Sequence, residues 1–312
     1  MNVMISTISN RFALSIITIL LLSYLPPGRS YTILGGLPPE PTDENDTINQ
    51  TQKSNPNNNA KIITTTLRHF QNRQIRLQTQ SREKHTGRLS MAGTLWEAGP
   101  VLADYVTNPA CPLHSFRRMR VHADSDGNVV LPAHPPTTVV ELGSGVGLAS
   151  MAAAFLGCRV FGTDGALSSV ELLKENFGRY DGEFNEGAKP KGLLLEWGDS
   201  EAVRELIERE LEGCFPDVVM ASDVVYAHSA REELTETIRE LCPEGHLDGR
   251  VVVAHRWRVD PKGEEAFFKG FEDEFEVEEV PVELLPPDPY YRTRSLIDFK
   301  LPVSIFEMRR KR

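Results

Sequence analysis

The sequence contains no Cys-x-x-Cys pair, no Gly-Lys-Ser or Gly-Lys-Thr phosphate loop and no apolar run of full membrane-spanning length. Its four cysteines, Cys111, Cys158, Cys214 and Cys242, stand far apart with no histidine at metal-ligand spacing. That pattern excludes a zinc site or a disulfide framework and reads as free thiols in a reducing compartment. Positive charge is scarce where most of the chain lies. Residues 1–92 carry ten Lys/Arg against five Asp/Glu, and the remainder holds 24 basic and 39 acidic groups, a balance of −15. Such a surface repels a phosphate backbone, so no nucleic-acid partner is expected. A basic protein segment suits it better.

The longest apolar run is short. Phe12–Leu25 (FALSIITILLLSYL) follows Arg11 and is closed by Pro26-Pro27-Gly28. Fourteen residues match the core of a signal peptide better than a membrane span. Residues 1–30 are therefore read as a signal-like or anchor segment, for secretory or organelle targeting or for membrane association; the free-looking cysteines favour the cytoplasm instead. Residues 31–64 are rich in Pro, Asn, Thr and Gly and read as a disordered linker, since they bury too little apolar surface to offset chain entropy. The remaining stretch, 65–312, is long enough for one large domain, expected as a monomer.

Periodicity organises that domain. "QIRLQ" alternates at Ile75 and Leu77 as a half-buried strand does. "LWEAGPVLADYV" places Leu95, Trp96, Val101, Leu102, Tyr105 and Val106 at helical spacing, with Pro100 in an early turn. After an irregular insertion at 107–137, strands are predicted at Thr138–Leu142, Arg159–Thr163, Gly192–Glu196, Asp217–Ala221, Arg250–His255, Phe275–Val280 and Ser304–Met308. Helices are predicted near 147–156, 166–178, 200–212, 229–242 and 262–271. Alternation of this kind implies an α/β, doubly wound, Rossmann-like sheet of seven strands with helices on both faces. The last two strands lack a helix between them, so the sheet is mostly parallel with an antiparallel final strand.

Within it, "VVELGSGVGLASMAAAFLG" joins a buried strand to an alanine-rich helix through Gly143, Gly145 and Gly147. Glycines there permit a sharp turn and close approach of a ligand to the main chain. A dinucleotide fingerprint needs its third glycine at 148, where Leu148 stands. Glu141, just ahead of the loop, would repel a pyrophosphate and attract a cationic amino group. Asp164 closes the next predicted strand, where a carboxylate can accept both hydroxyls of a ribose. The ligand expected is a nucleoside with a positively charged amino-acid end.

Five stretches in order, "GTLWEAGPVLADYV", "VVELGSGVGL", "FGTDG", "LLLEWGD" and "ASDVVY", carry a resemblance. Over about residues 70–312 the chain resembles the class I, seven-β-strand S-adenosylmethionine-dependent methyltransferases. Among them it looks most like the protein-lysine methyltransferases that modify calmodulin, elongation factors and chaperones. The glycine loop is common to the whole class; Asp-x-x-Tyr after the fourth core strand and the two tryptophans are more specific. The resemblance implies S-adenosyl-L-methionine as cofactor and a protein substrate with an accessible lysine. It implies that Trp96 packs near the cofactor, and that Glu141, Gly143, Ser144, Gly145 and Gly147 line its methionine end. Asp164 would hold the ribose, Trp197 would flank the adenine, and Ser222 would abut the cofactor from a strand tip. Asp223 and Tyr226 would face the substrate nitrogen as the catalytic pair. Methylation of a small molecule or another side chain, and a cofactor-binding scaffold without turnover, are the alternatives.

Overall fold

Continuous apolar runs build the sheet of this protein. The computed structural model describes residues 60–67, 72–80, 91–114, 122–123, 129–130, 136–184, 188–258, 260–285, 294–296, 299–301 and 303–312. The apolar segment at 12–25, the linker up to residue 59 and more than half of the 107–137 insertion lie outside the described residues.

An antiparallel hairpin comes first, β1 (Ala60–Leu67) and β2 (Arg73–Gln80). Helix α1 follows (Ala98–Thr107), then β3 (Thr138–Leu142), α2 (Leu148–Phe155), β4 (Arg159–Asp164) and α3 (Leu167–Gly178). Next come β5 (Lys191–Leu194), α4 (Ser200–Glu205), β6 (Val218–Ser222) and α5 (Arg231–Leu241). The chain closes with β7 (Arg250–Arg256), α6 (Pro261–Lys269), β8 (Phe275–Glu279) and β9 (Val303–Arg310). In space the seven-stranded sheet runs β8-β9-β7-β6-β3-β4-β5. β5, β4, β3, β6 and β7 are parallel, and β9 lies antiparallel between β7 and β8. The α/β expectation with an antiparallel final strand therefore holds.

The central strands are apolar on both sides because both faces are covered. Val139, Val160, Val218, Met220 and Val252 point to one layer, with α1, α2 and α3. Val140, Phe161, Val219, Val251 and Val253 point to the other, with α4, α5 and α6. Asp199 and Asp260 cap α4 and α6 by accepting from the N–H groups of Ala202 and Gly263. Among the described residues no helix is long and apolar enough to cross a membrane.

Three expectations change. The predicted linker runs to 64, yet β1 begins at Ala60, because Ile62, Ile63 and Thr64–Thr66 are β-branched and find a partner in β2. The predicted helix at 200–212 ends as an α-helix at Glu205 and continues as one wide π-type turn over Leu206–Glu210. Trp96 precedes α1 instead of lying within it.

Candidate functional site

The order of the sheet reverses between β3 and β6: the chain winds outward through β4 on one side and through β7 on the other. A crevice opens at the carboxyl ends of strands at such a point. Four segments meet there: the glycine loop after β3, Asp164 at the end of β4, Ser222-Asp223 at the end of β6 and the Arg256–Arg258 stretch at the end of β7.

Two of the loop's glycines cannot carry side chains. Gly145 has φ +51°, and a Cβ on it would lie 2.9 Å from the Ala92 carbonyl oxygen. Gly147 has φ +84°, and a Cβ there would meet Leu173 at 2.3 Å. Both the backbone angle and the packing demand glycine. A Cβ on Gly143 would touch Trp197 at 3.1 Å and Val224 at 3.0 Å, so the Trp197 indole stands directly against the loop. Ser144 donates from its backbone to Thr163 at 2.7 Å, tying the loop to β4.

Glu141 is turned inward beneath this loop, only 1% exposed. Its Oε2 accepts from the Ser150 N–H at 2.9 Å and from the Ser150 hydroxyl. Ser150 lies in the first turn of α2, whose N-cap, Gly147, has no side chain to offer, so Glu141 supplies the cap from a neighbouring strand. Burial pushes its carboxyl up to about 7, against the hydrogen bonds of Ser150 and Ser144, with the nearby Asp164 adding to the rise. Asp164 is also buried. Its two oxygens accept from Gly145 N–H and Ala166 N–H, each at 3.2 Å. Desolvation raises its pKa, and those two N–H groups and Ser169 oppose the rise.

Asp223 sits just past β6 with φ +57°, its N–H donating to the Ala254 carbonyl at 3.0 Å. That left-handed turn swings the carboxylate inward, leaving the residue 6% exposed. Oδ2 accepts from the Ala98 N–H at 2.9 Å, the first residue of α1. Oδ1 accepts from Arg258 Nη2 at 2.8 Å. Burial raises the Asp223 pKa above its ordinary value; Arg258, the Ala98 N–H and His255 oppose the rise, and Glu97 adds to it. The Arg258 guanidinium carbon lies 5.7 Å from the centre of the Trp96 ring, whose indole N–H donates to Met91 O at 2.8 Å. Tyr226 differs from Asp223 in exposure: it is 49% exposed, at the rim. Ser222 hydroxyl faces Gly99, where a Cβ would come within 3.8 Å.

The predicted residues thus divide into a buried set (Glu141, Ser144, Gly145, Gly147, Asp164 and Asp223), a half-buried set (Trp96, Gly143, Trp197 and Ser222) and an exposed tyrosine. Sequence reasoning passed over the cations. Arg256 pairs with Glu97 at 2.5 Å in a largely buried bridge, and Arg258 pairs with Asp223. "HRWR" at the end of a buried strand was the available signal. It also missed Asn176, fully buried, whose amide donates to Val146 O at 2.9 Å and to Gln78 O at 3.0 Å. Its Oδ1 accepts from Gln78 N–H at 2.7 Å, so one side chain fastens β2 to the glycine loop. His255 is structural: buried, with Nε2 3.1 Å from Glu264.

With this geometry in place, the relationship to known proteins is direct. The lysine methyltransferase family matches residues 71–274, and the chain belongs to that family. It is similar to the protein-lysine methyltransferase METTL21E of Mus musculus, at 32% identity over 46% of this chain and 54% of that protein. It is also similar to the protein N-lysine methyltransferase METTL21A of Mus musculus, at 26% identity over 55% of this chain and 64% of that one. The chain thus spans about half to two thirds of the length of these relatives. Among solved structures, a TehB-like SAM-dependent methyltransferase from Corynebacterium glutamicum aligns with a TM-score of 0.38, at 17% identity, over 65% of this chain and 100% of that one.

Proposed function

We propose that residues 60–312 form an S-adenosylmethionine-dependent methyltransferase domain that modifies a lysine side chain of a protein. One observation carries this reading: a buried carboxylate, Asp223, stands at the tip of the strand beside the glycine loop, already engaged with a cation that also faces an aromatic ring. That is the environment an alkylammonium group needs.

The residues fit the donor. Asp164 accepts from the Gly145 and Ala166 N–H groups on separate oxygens, and the carboxylate keeps acceptor capacity for a ribose hydroxyl. Gly143, Gly145 and Gly147 let the backbone make its sharp turn at the crevice, and Trp197 offers an apolar wall beside Gly143. Glu141, held on Ser150, fixes the loop and the start of α2. S-adenosylmethionine, when bound there, would supply an electrophilic methyl group to an amine lone pair, the S–CH3 bond breaking to leave a neutral thioether.

The protein's task is then alignment and dryness. Lysine arrives protonated, and exposing its lone pair near pH 7 costs about 4–5 kcal/mol from an ordinary pKa of about 10.4. An ionised Asp223 favours the ammonium form, so its role is capture and orientation, with the proton leaving to water before transfer. Tyr226, at the rim, offers a ring face that tolerates a methylated, cationic product.

Incubation of the protein with labelled donor and a whole-cell extract, followed by mapping of labelled peptides, tests the reading; label on lysine is expected. Asp223→Asn keeps an acceptor for the Ala98 N–H but removes the charge. We expect turnover to fall about 100-fold or more with donor affinity little changed. Asp164→Ala should do the reverse, weakening donor binding in calorimetry first. Label only in small molecules, or equal loss of both quantities in Asp223→Asn, contradicts the assignment.

A further inference from the structure

Asp223 is not waiting for a substrate; its outer oxygen is taken. We propose that Arg258 is an internal competitor for the acceptor site: its guanidinium occupies the place on Asp223 that a substrate ammonium takes, and its side chain must swing away for the acceptor to bind. This rests on the proposed methyl transfer to lysine, and it makes Arg258 a gating and specificity residue, not a catalytic one.

Three features of the contact support it. The Asp223 side chain is 3% exposed and Arg258 27%, so the carboxylate is reached from the side on which the guanidinium lies. Oδ2 is committed to the start of α1, which leaves Oδ1 as the oxygen an incoming cation can use, and Arg258 Nη2 holds it at 2.8 Å. The guanidinium also lies 5.7 Å from the Trp96 ring centre, so it uses both the carboxylate and the aromatic face. A lysine ammonium would need the same two groups.

The contact is also built to open. Arg258 reaches Asp223 through one nitrogen, and its buried Nε has no hydrogen-bond partner among the described residues. A two-point fork, the strong form of an arginine–carboxylate pair, is absent here. The backbone, by contrast, is pinned: the Arg258 N–H donates to Glu264 Oε2 at 2.9 Å, and Glu264 is held by His255. Rotation about side-chain bonds alone would free Oδ1. Arg256 next door shows the alternative, since its largely buried pairing with Glu97 binds α1 to β7. A gate of this kind rejects small amines that cannot displace the guanidinium and admits a lysine whose flanking residues contribute binding energy of their own.

The test uses the full chain and butylammonium as a lysine side-chain mimic, with and without S-adenosylhomocysteine. Binding is read from the Trp96 indole N–H resonance, one of three in the protein. Arg258→Met is expected to bind butylammonium at least tenfold more tightly than wild type, and adding Asp223→Asn to it should abolish that gain. Arg258→Gln, which retains a donor for Asp223, is measured in parallel so that the comparison survives if the methionine variant fails to fold. In turnover, the folded neutral variant should show an acceptor KM lowered at least fivefold with the donor KM unchanged. Equal butylammonium affinity in wild type and the neutral variant, or loss of binding in the variant, overturns the gate. Failure of the methyltransferase reading shows separately, as no label transferred to any lysine by wild type, while the amine titration still reports on Arg258.

Discussion

Glu141 shows how a single buried carboxyl can hold the glycine loop from beneath. It lies under the glycine loop, bonded to Ser150 by its N–H and hydroxyl, and burial pushes its carboxyl up to about 7. In the unfolded chain it titrates near 4.5. The folded state therefore holds the proton more tightly, so the contribution to stability is full below about pH 4.5 and is lost as pH rises through 7. The span corresponds to at most about 3 kcal/mol. Asp164, Asp223 and Glu307, also raised, slope the same way, so the informative quantity is a difference. Urea denaturation at pH 5, 6 and 7.5 should show the stability gap between wild type and Glu141→Gln shifting by about 2–3 kcal/mol toward the variant as pH rises. A gap independent of pH would mean that Glu141 is charged when folded.

At the scale of elements, the glycine loop is held from outside the sheet. Asn176 on α3 makes three hydrogen bonds, two to Gln78 in β2 and one to Val146 in the loop. Asn176→Ala leaves those backbone groups unpaired in a buried place, at a cost of about 1–3 kcal/mol. It should also loosen the loop, so we expect donor affinity to fall several-fold, measured by calorimetry, together with faster amide exchange along Arg73–Gln80. Stability loss without any change in donor affinity would separate the hairpin from the site. This clamp explains what could be read in advance and what could not. β3, β4, β6 and β7 were legible because strands covered on both faces must be apolar throughout. The glycines were legible because steric demand fixes residue type locally. Asn176 was not, since nothing in a helical stretch marks one asparagine as a bridge to residues 98 positions earlier. Arg258 was hidden for the same reason: its partner Asp223 is 35 residues away, and the pairing exists only once β6 and β7 lie side by side. β1 was overlooked because its threonines look like linker until β2 supplies the hydrogen bonds.

Across the whole molecule, charge argues about the acceptor. Beyond Ala92 the chain carries a balance of −15, although its proposed reaction needs only one carboxylate at the strand tip. The exposed face of α5 presents Glu232, Glu233 and Glu236, and Gly198, beside Trp197, packs against Glu233. A net negative field of this kind concentrates a basic partner and repels an acidic one, and it acts over roughly a Debye length, about 10 Å at 0.1 M salt. The gate at Asp223 works at contact distance, where added salt screens far less. The two contributions therefore separate by ionic strength. With a lysine-rich acceptor peptide, raising salt from about 50 to 200 mM should increase the acceptor KM about threefold or more, while kcat and the donor KM move less than about twofold. A peptide of the same length with its flanking basic residues replaced by serine should lose that salt dependence and start from the higher KM. If both peptides respond alike, the acidic surface plays no part in recognition, and selection of the lysine rests on the contacts around Asp223 alone.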